Sequence, residues 1–191
     1  MERSIIIAGF GGQGILFAGR VLARAAMTEG REVFWIPSYG PEMRGGTASC
    51  TVIIGDAPIG SPVVDQADAA VVLNGPSHAR YGQRVAPGGL LVVNETLVEA
   101  TCGRDDVTEL RLPCTRLARD AGDDSLVSVV ALGALVGYLQ LVRAVSMRAS
   151  IRETVGARRL DVLEADLAAF EVGHRVGVRR RPSHARVALP L

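Results

Sequence analysis

The alternation of apolar and polar positions opens with a continuous apolar run over residues 4–8 that stops at glycines, as a strand buried on both faces does. From Gly14 to Glu29 the period becomes helical, with Ile15, Leu16, Ala18, Val21, Leu22, Ala25 and Ala26 on one broad face. Residues 32–37 predict a second strand cut off by Pro37, and residues 47–54, TASCTVII, a third that ends at the turn signal Gly55-Asp56. The connection over 38–46 is too short for a helical crossover, so the third strand is expected to run antiparallel to the second. Further strands are expected over 67–74, 90–94 and 107–112, and helices over 76–85, 126–142 and 157–171. Strands alternating with helices predict an α/β fold: a three-layer α/β/α arrangement around a mostly parallel, partly mixed central sheet, with a Rossmann-like first βα unit.

Residues 126–142, LVSVVALGALVGYLQLV, carry no charge and include the Gly133 and Gly137 of a G-x-x-x-G pattern. A membrane span wants about 20 apolar residues. This run falls short of that, contains Ser128 and Gln140, and follows the helix-start signal Asp123-Asp124. It reads as a helix buried all round, whose glycines admit the sheet or another subunit at close range, and no membrane partner is expected.

Composition narrows the reading further. At 191 residues the chain fits one domain, expected over 1–174, with an Arg-rich tail over 175–191 that is expected to be disordered or draped on a partner. Apolar residues make up 48% and aromatics only 4%, so the core must be built from Val, Leu, Ile and Ala. With 21 basic and 20 acidic residues, the net charge of +1 leaves no electrostatic footprint for nucleic acid. Cys50, Cys102 and Cys114 lack C-x-x-C spacing, so no disulfide framework, iron-sulfur site or structural zinc site is readable, and no metal is expected. The N-terminus enters a strand directly, without a signal-peptide pattern, which fits a reducing cytoplasmic compartment.

Two segments carry candidate chemistry. Gly9-Phe10-Gly11-Gly12-Gln13-Gly14 satisfies G-x-G-x-x-G between a strand and a helix, where glycines permit a sharp turn and the helix start offers free N–H groups to an anion. A dinucleotide fold also wants an acid about 20 residues on, at the end of the second strand. Here that strand ends Trp35-Ile36-Pro37-Ser38, so NAD or FAD binding is weakened while phosphate binding survives. A tight turn used only for packing is the alternative. The second segment is SYGPEMRGG over 38–46, in which Glu42 and Arg44 must face solvent, pair with each other, or meet a partner's charges. Both segments follow strands expected to be neighbours, so both are expected at the strand C-termini, where open α/β sheets bind ligands. The candidate binding residues are Gly9, Gly11, Gly12, Gln13 and Gly14 together with Ser38, Tyr39, Gly40, Glu42, Arg44 and Gly45. For the second segment a rigid surface turn with a solvated ion pair is the alternative.

No catalytic residue is readable. Cys50 lies among strand residues, and of His78, His174 and His184, the first reads as a surface or capping residue near a helix start. H-E-x-x-H, G-x-S-x-G and G-K-[ST] patterns are all absent.

In their order and spacing, IIIAGFGGQGILFAGRVLARAA, SYGPEMRGGTASCTVII and VALGALVG resemble the gamma subunit, or gamma domain, of the 2-oxoacid:ferredoxin oxidoreductases, over residues 3–170. The resemblance implies a part in the oxidative decarboxylation of a 2-oxoacid, such as 2-oxoglutarate or pyruvate, to acyl-CoA with reduction of ferredoxin. In that family thiamine diphosphate sits between alpha and beta subunits, and iron-sulfur clusters sit on beta or delta parts. The chain is therefore expected to hold neither, to be inactive alone, and to partner alpha and beta subunits, and delta where one exists. It is expected to meet ferredoxin only indirectly and to cover the active-site cleft on the coenzyme A (CoA) side. A homodimer of the isolated chain is open. The small subunit of indolepyruvate oxidoreductase, a stand-alone dinucleotide-dependent reductase and a pure scaffold are the alternatives. Relatives usually carry asparagine where Ser128 stands.

Overall fold

A computed structural model describes residues 1–39, 46–156 and 159–182. The elements run β1 (Glu2–Phe10), α1 (Ile15–Thr28), β2 (Glu32–Tyr39), β3 (Thr47–Gly55), β4 (Ala67–Val72), α2 (Gly75–Tyr81), β5 (Val85–Asn94), β6 (Thr108–Leu112), α3 (Cys114–Ala121), α4 (Val127–Leu139), α5 (Ala144–Val155) and α6 (Leu160–Arg180). The six strands form one sheet in the order β2-β3-β1-β4-β5-β6. β1, β4, β5 and β6 are mutually parallel, and β3 runs antiparallel to both β1 and β2. The expected α/β architecture with a mostly parallel, partly mixed sheet is therefore the observed one.

One expectation about adjacency needs correcting. β1 and β2 are not neighbours, because β3 inserts between them, with Phe10 opposite Thr47 and Tyr39 opposite Ala48. Two strands antiparallel to the same third strand point the same way, so the C-termini of β1 and β2 still arrive at one edge. Pro37 does not end β2 but lies inside it, opposite Cys50. β2 is an edge strand, where a missing N–H costs no ladder bond on the open side.

The two faces of the sheet are covered unequally. Ile5, Ile7, Val52, Ile54, Val71 and Val92 pack against α1, α3, α4 and α5 on one side. Ile6, Ala8, Val72, Leu91 and Val93 lie on the other with Tyr81 of α2 and Cys102. The uncharged run forms α4, in which the residues Val127–Gly137 are all buried. It is enclosed because α6 lies along its outer side. A Cβ on Gly173 would collide with the carbonyl oxygen of Val130, and one on Gly133 with that of Phe170. Gly177 likewise meets the Ala134 carbonyl, so the two helices touch backbone to backbone. Among the described residues no helix is long and apolar enough to cross a membrane.

The last helix is longer than expected. The helix expected over 157–171 runs from Leu160 to Arg180, so the expected break at 174 falls within it. Gly173 and Gly177 hold its inner face to α4, while Arg175, Arg179 and Arg180 sit on its exposed side. The arginines that suggested a tail are, as far as Arg180, the solvated face of a docked helix. Residues 183–191 lie outside the described residues.

Candidate functional site

The turn between β1 and α1 is fixed by its own side chain. The N–H of Phe10 donates to Gln13 Oε1 at 2.7 Å, and the N–H of Gln13 donates to the Phe10 carbonyl at 3.2 Å. Asn74 Nδ2 approaches the same Gln13 oxygen at 3.5 Å, while Asn74 Oδ1 caps α2 by accepting from the Ser77 N–H at 2.8 Å. The Gln13 amide oxygen is thus engaged within the loop. Gly9 leaves room for it, since a Cβ there would lie 2.5 Å from that oxygen and 3.3 Å from Leu73 Cβ.

Gly12 and Gly14 are glycines for a different reason. Both occupy the left-handed region, with φ of 95° and 74°. A Cβ on Gly12 would meet nothing within 4 Å, whereas one on Gly14 would lie 2.6 Å from Ser128 Oγ. Gly14 is the N-cap of α1, no side chain caps that helix, and its first turn has no acid. The Gly14 carbonyl accepts from Ala18 as the helix begins. Among the described residues, the N–H groups of Gly12, Gly14, Ile15 and Leu16 have no acceptor. These donors lie at the positive end of the α1 dipole, where an anion is favoured.

The second segment meets this turn through its last residue. The Gly11 N–H donates to the Gly46 carbonyl at 3.0 Å. Ser38 is exposed at the end of β2, opposite Ser49, and Tyr39 closes that strand opposite Ala48. Gly40, Glu42, Arg44 and Gly45 lie outside the described residues. Of the expected constellation, the structure brings Gly9 to Gly14, Ser38 and Tyr39 to one edge of the sheet.

His78 differs from expectation. It is buried, 6% exposed, with Nε2 3.6 Å from Glu109 Oε1 and without a hydrogen-bond partner for Nε2 among the described residues. α2 packs on the second face of the sheet through Tyr81, and Ser77 and His78 are buried with it. Glu109 also accepts the Cys102 N–H at 2.5 Å and pairs with Arg111 at 3.2 Å. All three cysteines are free and buried. Burial pushes the Cys50 thiol up to about 12 and pushes those of Cys114 and Cys102 up as well, so none is poised as a thiolate. Among the described residues no group of three or more His, Cys, Asp or Glu side chains converges as a metal site would require.

Three polar positions escaped the sequence reading. Asn94, fully buried at the end of β5, donates to the Leu73 carbonyl at 3.2 Å and to Thr115 Oγ1 at 3.0 Å. Asn74, directly before Gly75-Pro76, was legible as an N-cap signal. Asp166, only 5% exposed on α6, had no local signal, because its surroundings are supplied by helices distant in sequence.

The family described as Pyruvate ferredoxin/flavodoxin oxidoreductase matches residues 4–176. The chain is 38% identical over 173 residues to the ketoisovalerate oxidoreductase subunit VorA of Methanothermobacter thermautotrophicus, covering 90% of this chain and 36% of that protein. It therefore spans about a third of the length of that relative. It is 36% identical over 179 residues to the 2-oxoglutarate synthase subunit KorC of Methanocaldococcus jannaschii, covering 92% of this chain and 94% of that one. Among solved structures, a keto/oxoacid ferredoxin oxidoreductase gamma subunit from Geobacter sulfurreducens superimposes with a TM-score of 0.80 at 28% identity, over 93% of this chain and 99% of that one. The 2-oxoglutarate:ferredoxin oxidoreductase of Magnetococcus marinus, solved with 2-oxoglutarate, coenzyme A and succinyl-CoA bound, shares the fold with a TM-score of 0.84 at 23% identity. There the match covers 93% of this chain and 31% of that one.

Proposed function

The chain belongs to the pyruvate ferredoxin/flavodoxin oxidoreductase family, and from that premise we propose that it acts as the gamma subunit of a 2-oxoacid:ferredoxin oxidoreductase, a non-catalytic module on the coenzyme A side of the reaction. The observation that carries the reading is the uncapped start of α1, where the N–H groups of Gly12, Gly14, Ile15 and Leu16 have no acceptor among the described residues. Donors in that arrangement suit a pyrophosphate, which CoA carries and a 2-oxoacid does not. The Magnetococcus enzyme, which shares this fold, holds CoA. The match to KorC covers 94% of that subunit.

Thiamine diphosphate and iron-sulfur clusters fit other subunits. The three thiols here are buried apart on a strand, a loop and a helix, and clusters need convergent thiolates. In this reading the chain's own residues bind and orient. The glycine turn holds phosphate oxygens, and the 38–46 segment, tied to it through Gly11 and Gly46, contributes Tyr39, Glu42 and Arg44 toward CoA or a partner subunit. The lack of an acid at the end of β2 disfavours a dinucleotide reductase.

The test is reconstitution. Alpha and beta subunits purified with this chain should reduce a viologen dye in the presence of a 2-oxoacid and CoA. This chain alone should show no turnover, and should co-purify with the others. Turnover by the chain alone, or full CoA-dependent turnover by the complex lacking it, overturns the proposal.

A further inference from the structure

At the end of the sheet opposite the glycine turn, where β1, β4 and β5 begin, lies a mainly apolar cavity of about 260 Å³. Its floor includes the buried Ile5 and Leu90, one wall is formed by the half-buried Leu139 and Leu141 at the end of α4, and its rim carries the exposed Pro87 and Pro182. Small-molecule sites run from about 300 Å³ upward, so this one is sized for a few side chains. Apolar walls left half-open to water are a cost that a covering group removes.

Pro182 is both part of that rim and the residue that precedes the segment 183–191. The chain leaves α6 in extended backbone at Arg181. The segment reads Ser-His-Ala-Arg-Val-Ala-Leu-Pro-Leu, in which Ala185, Val187, Leu189 and Leu191 fall on every second position. In an extended chain those four share one face, and Pro190 disfavours helix at Leu189 before it. The five residues from Pro182 to Val187 reach at most about 18 Å, so an occupant of this cavity is at hand in the same chain. Charge points the same way. The segment has no acid and carries His184 and Arg186. The half-buried Asp68, paired with Arg3 at 3.1 Å, lines the cavity, and the exposed Asp105 and Asp106 stand beside its rim, where the Gly88 N–H donates to the Asp106 carbonyl at 2.6 Å.

We propose that residues 183–191 fold back over this cavity, with Val187 and Leu189 seated against Leu90, Leu139 and Leu141, and with Arg186, on the other face of the extended segment, directed to the carboxylates at the rim. α6 packs on α3, α4 and α5. The segment after it is then a strap that ties the end of α6 to the first residues of the strands. The same segment donated by a second copy of the chain, or held on another protein, is the competing arrangement. The proposal does not rest on the CoA reading above, since the cavity and the glycine turn lie at opposite ends of β1.

A photoreactive leucine analogue in place of Leu189 in the full chain, irradiated at low and at high protein concentration and mapped by mass spectrometry, tests it. Labelling of residues 86–90 or 138–141 of the same chain is expected, in a yield that does not depend on concentration. Trypsin is expected to cleave after Arg186 at least tenfold more slowly in the full chain than in the double variant Leu189→Asp, Leu191→Asp, and the Tm of that variant to fall by several degrees. The cross-link carries the test if the double variant does not fold, because the analogue differs little from leucine in size. Labels confined to other parts of the chain, cross-links that join two chains and rise with concentration, or equal cleavage rates overturn the proposal.

Discussion

Gly11 donates its backbone N–H to the carbonyl oxygen of Gly46 at 3.0 Å. This bond joins the middle of the first glycine segment to the end of the second, beside the start of β3. It is possible only because β3 runs antiparallel between β1 and β2 and so begins where both of those strands finish. A single hydrogen bond of this kind contributes about 1 kcal/mol. Its larger effect is positional: two loops distant in sequence form one edge.

The contact between α4 and α6 depends on glycine. Gly173→Ala places a methyl group against the Val130 carbonyl, a backbone atom that cannot rotate away. Loss of about 2–3 kcal/mol or more is expected, read as a fall in Tm. Gly156→Ala serves as a comparison of another kind, because its Cβ meets nothing within 4 Å and only its φ of 83° opposes the change. A cost for Gly173→Ala no larger than that of Gly156→Ala would show that the helices separate freely.

Ser128 is wholly buried, and its Oγ has no partner among the described residues. A hydroxyl that gave up water for no bond adds nothing to stability, so Ser128→Ala is expected to be neutral or to stabilise by about 1 kcal/mol. A loss above about 1 kcal/mol in urea unfolding would mean that the hydroxyl is hydrogen-bonded in solution.

Burial pushes the Asp166 carboxyl up from 3.8 to about 6, and the nearby Arg159 only partly offsets this. The folded protein therefore binds this proton more tightly than the unfolded chain. The cost of ionising Asp166 is absent below pH 4, grows between pH 4 and 6, and is complete above 6. The full difference corresponds to a ceiling of about 3 kcal/mol. Asp166→Asn should accordingly raise Tm at pH 8 by several degrees and leave it nearly unchanged at pH 4. Equal effects at both pH values would contradict the assignment.

Much of this fold was legible because its signals are local. The apolar runs of β1, β4 and β5 stop at glycine or asparagine, and the helical period of α1 is unambiguous. α3 and α5 were missed because their apolar positions are few and interrupted by arginines, Arg116 and Arg119 in one, Arg148 and Arg152 in the other. The insertion of β3 between β1 and β2 was hidden, since pairing partners are not encoded in any one segment. The glycine turn could be placed from its spacing, but the use of Gln13 Oε1 to hold Phe10 could not. His78 and Asp166 escaped for one reason: each is buried by elements far away in sequence.

The central claim is that the glycine turn serves the CoA side of a 2-oxoacid oxidoreductase. Gly12→Ala tests it most directly, because its Cβ meets no atom within 4 Å, while the φ of 95° must shift and take the exposed N–H with it. Strain of about 1–2 kcal/mol leaves the fold intact. In the reconstituted complex, the KM for CoA is expected to rise at least tenfold while the KM for the 2-oxoacid stays unchanged. An unchanged KM for CoA in a fully assembled complex would contradict the account.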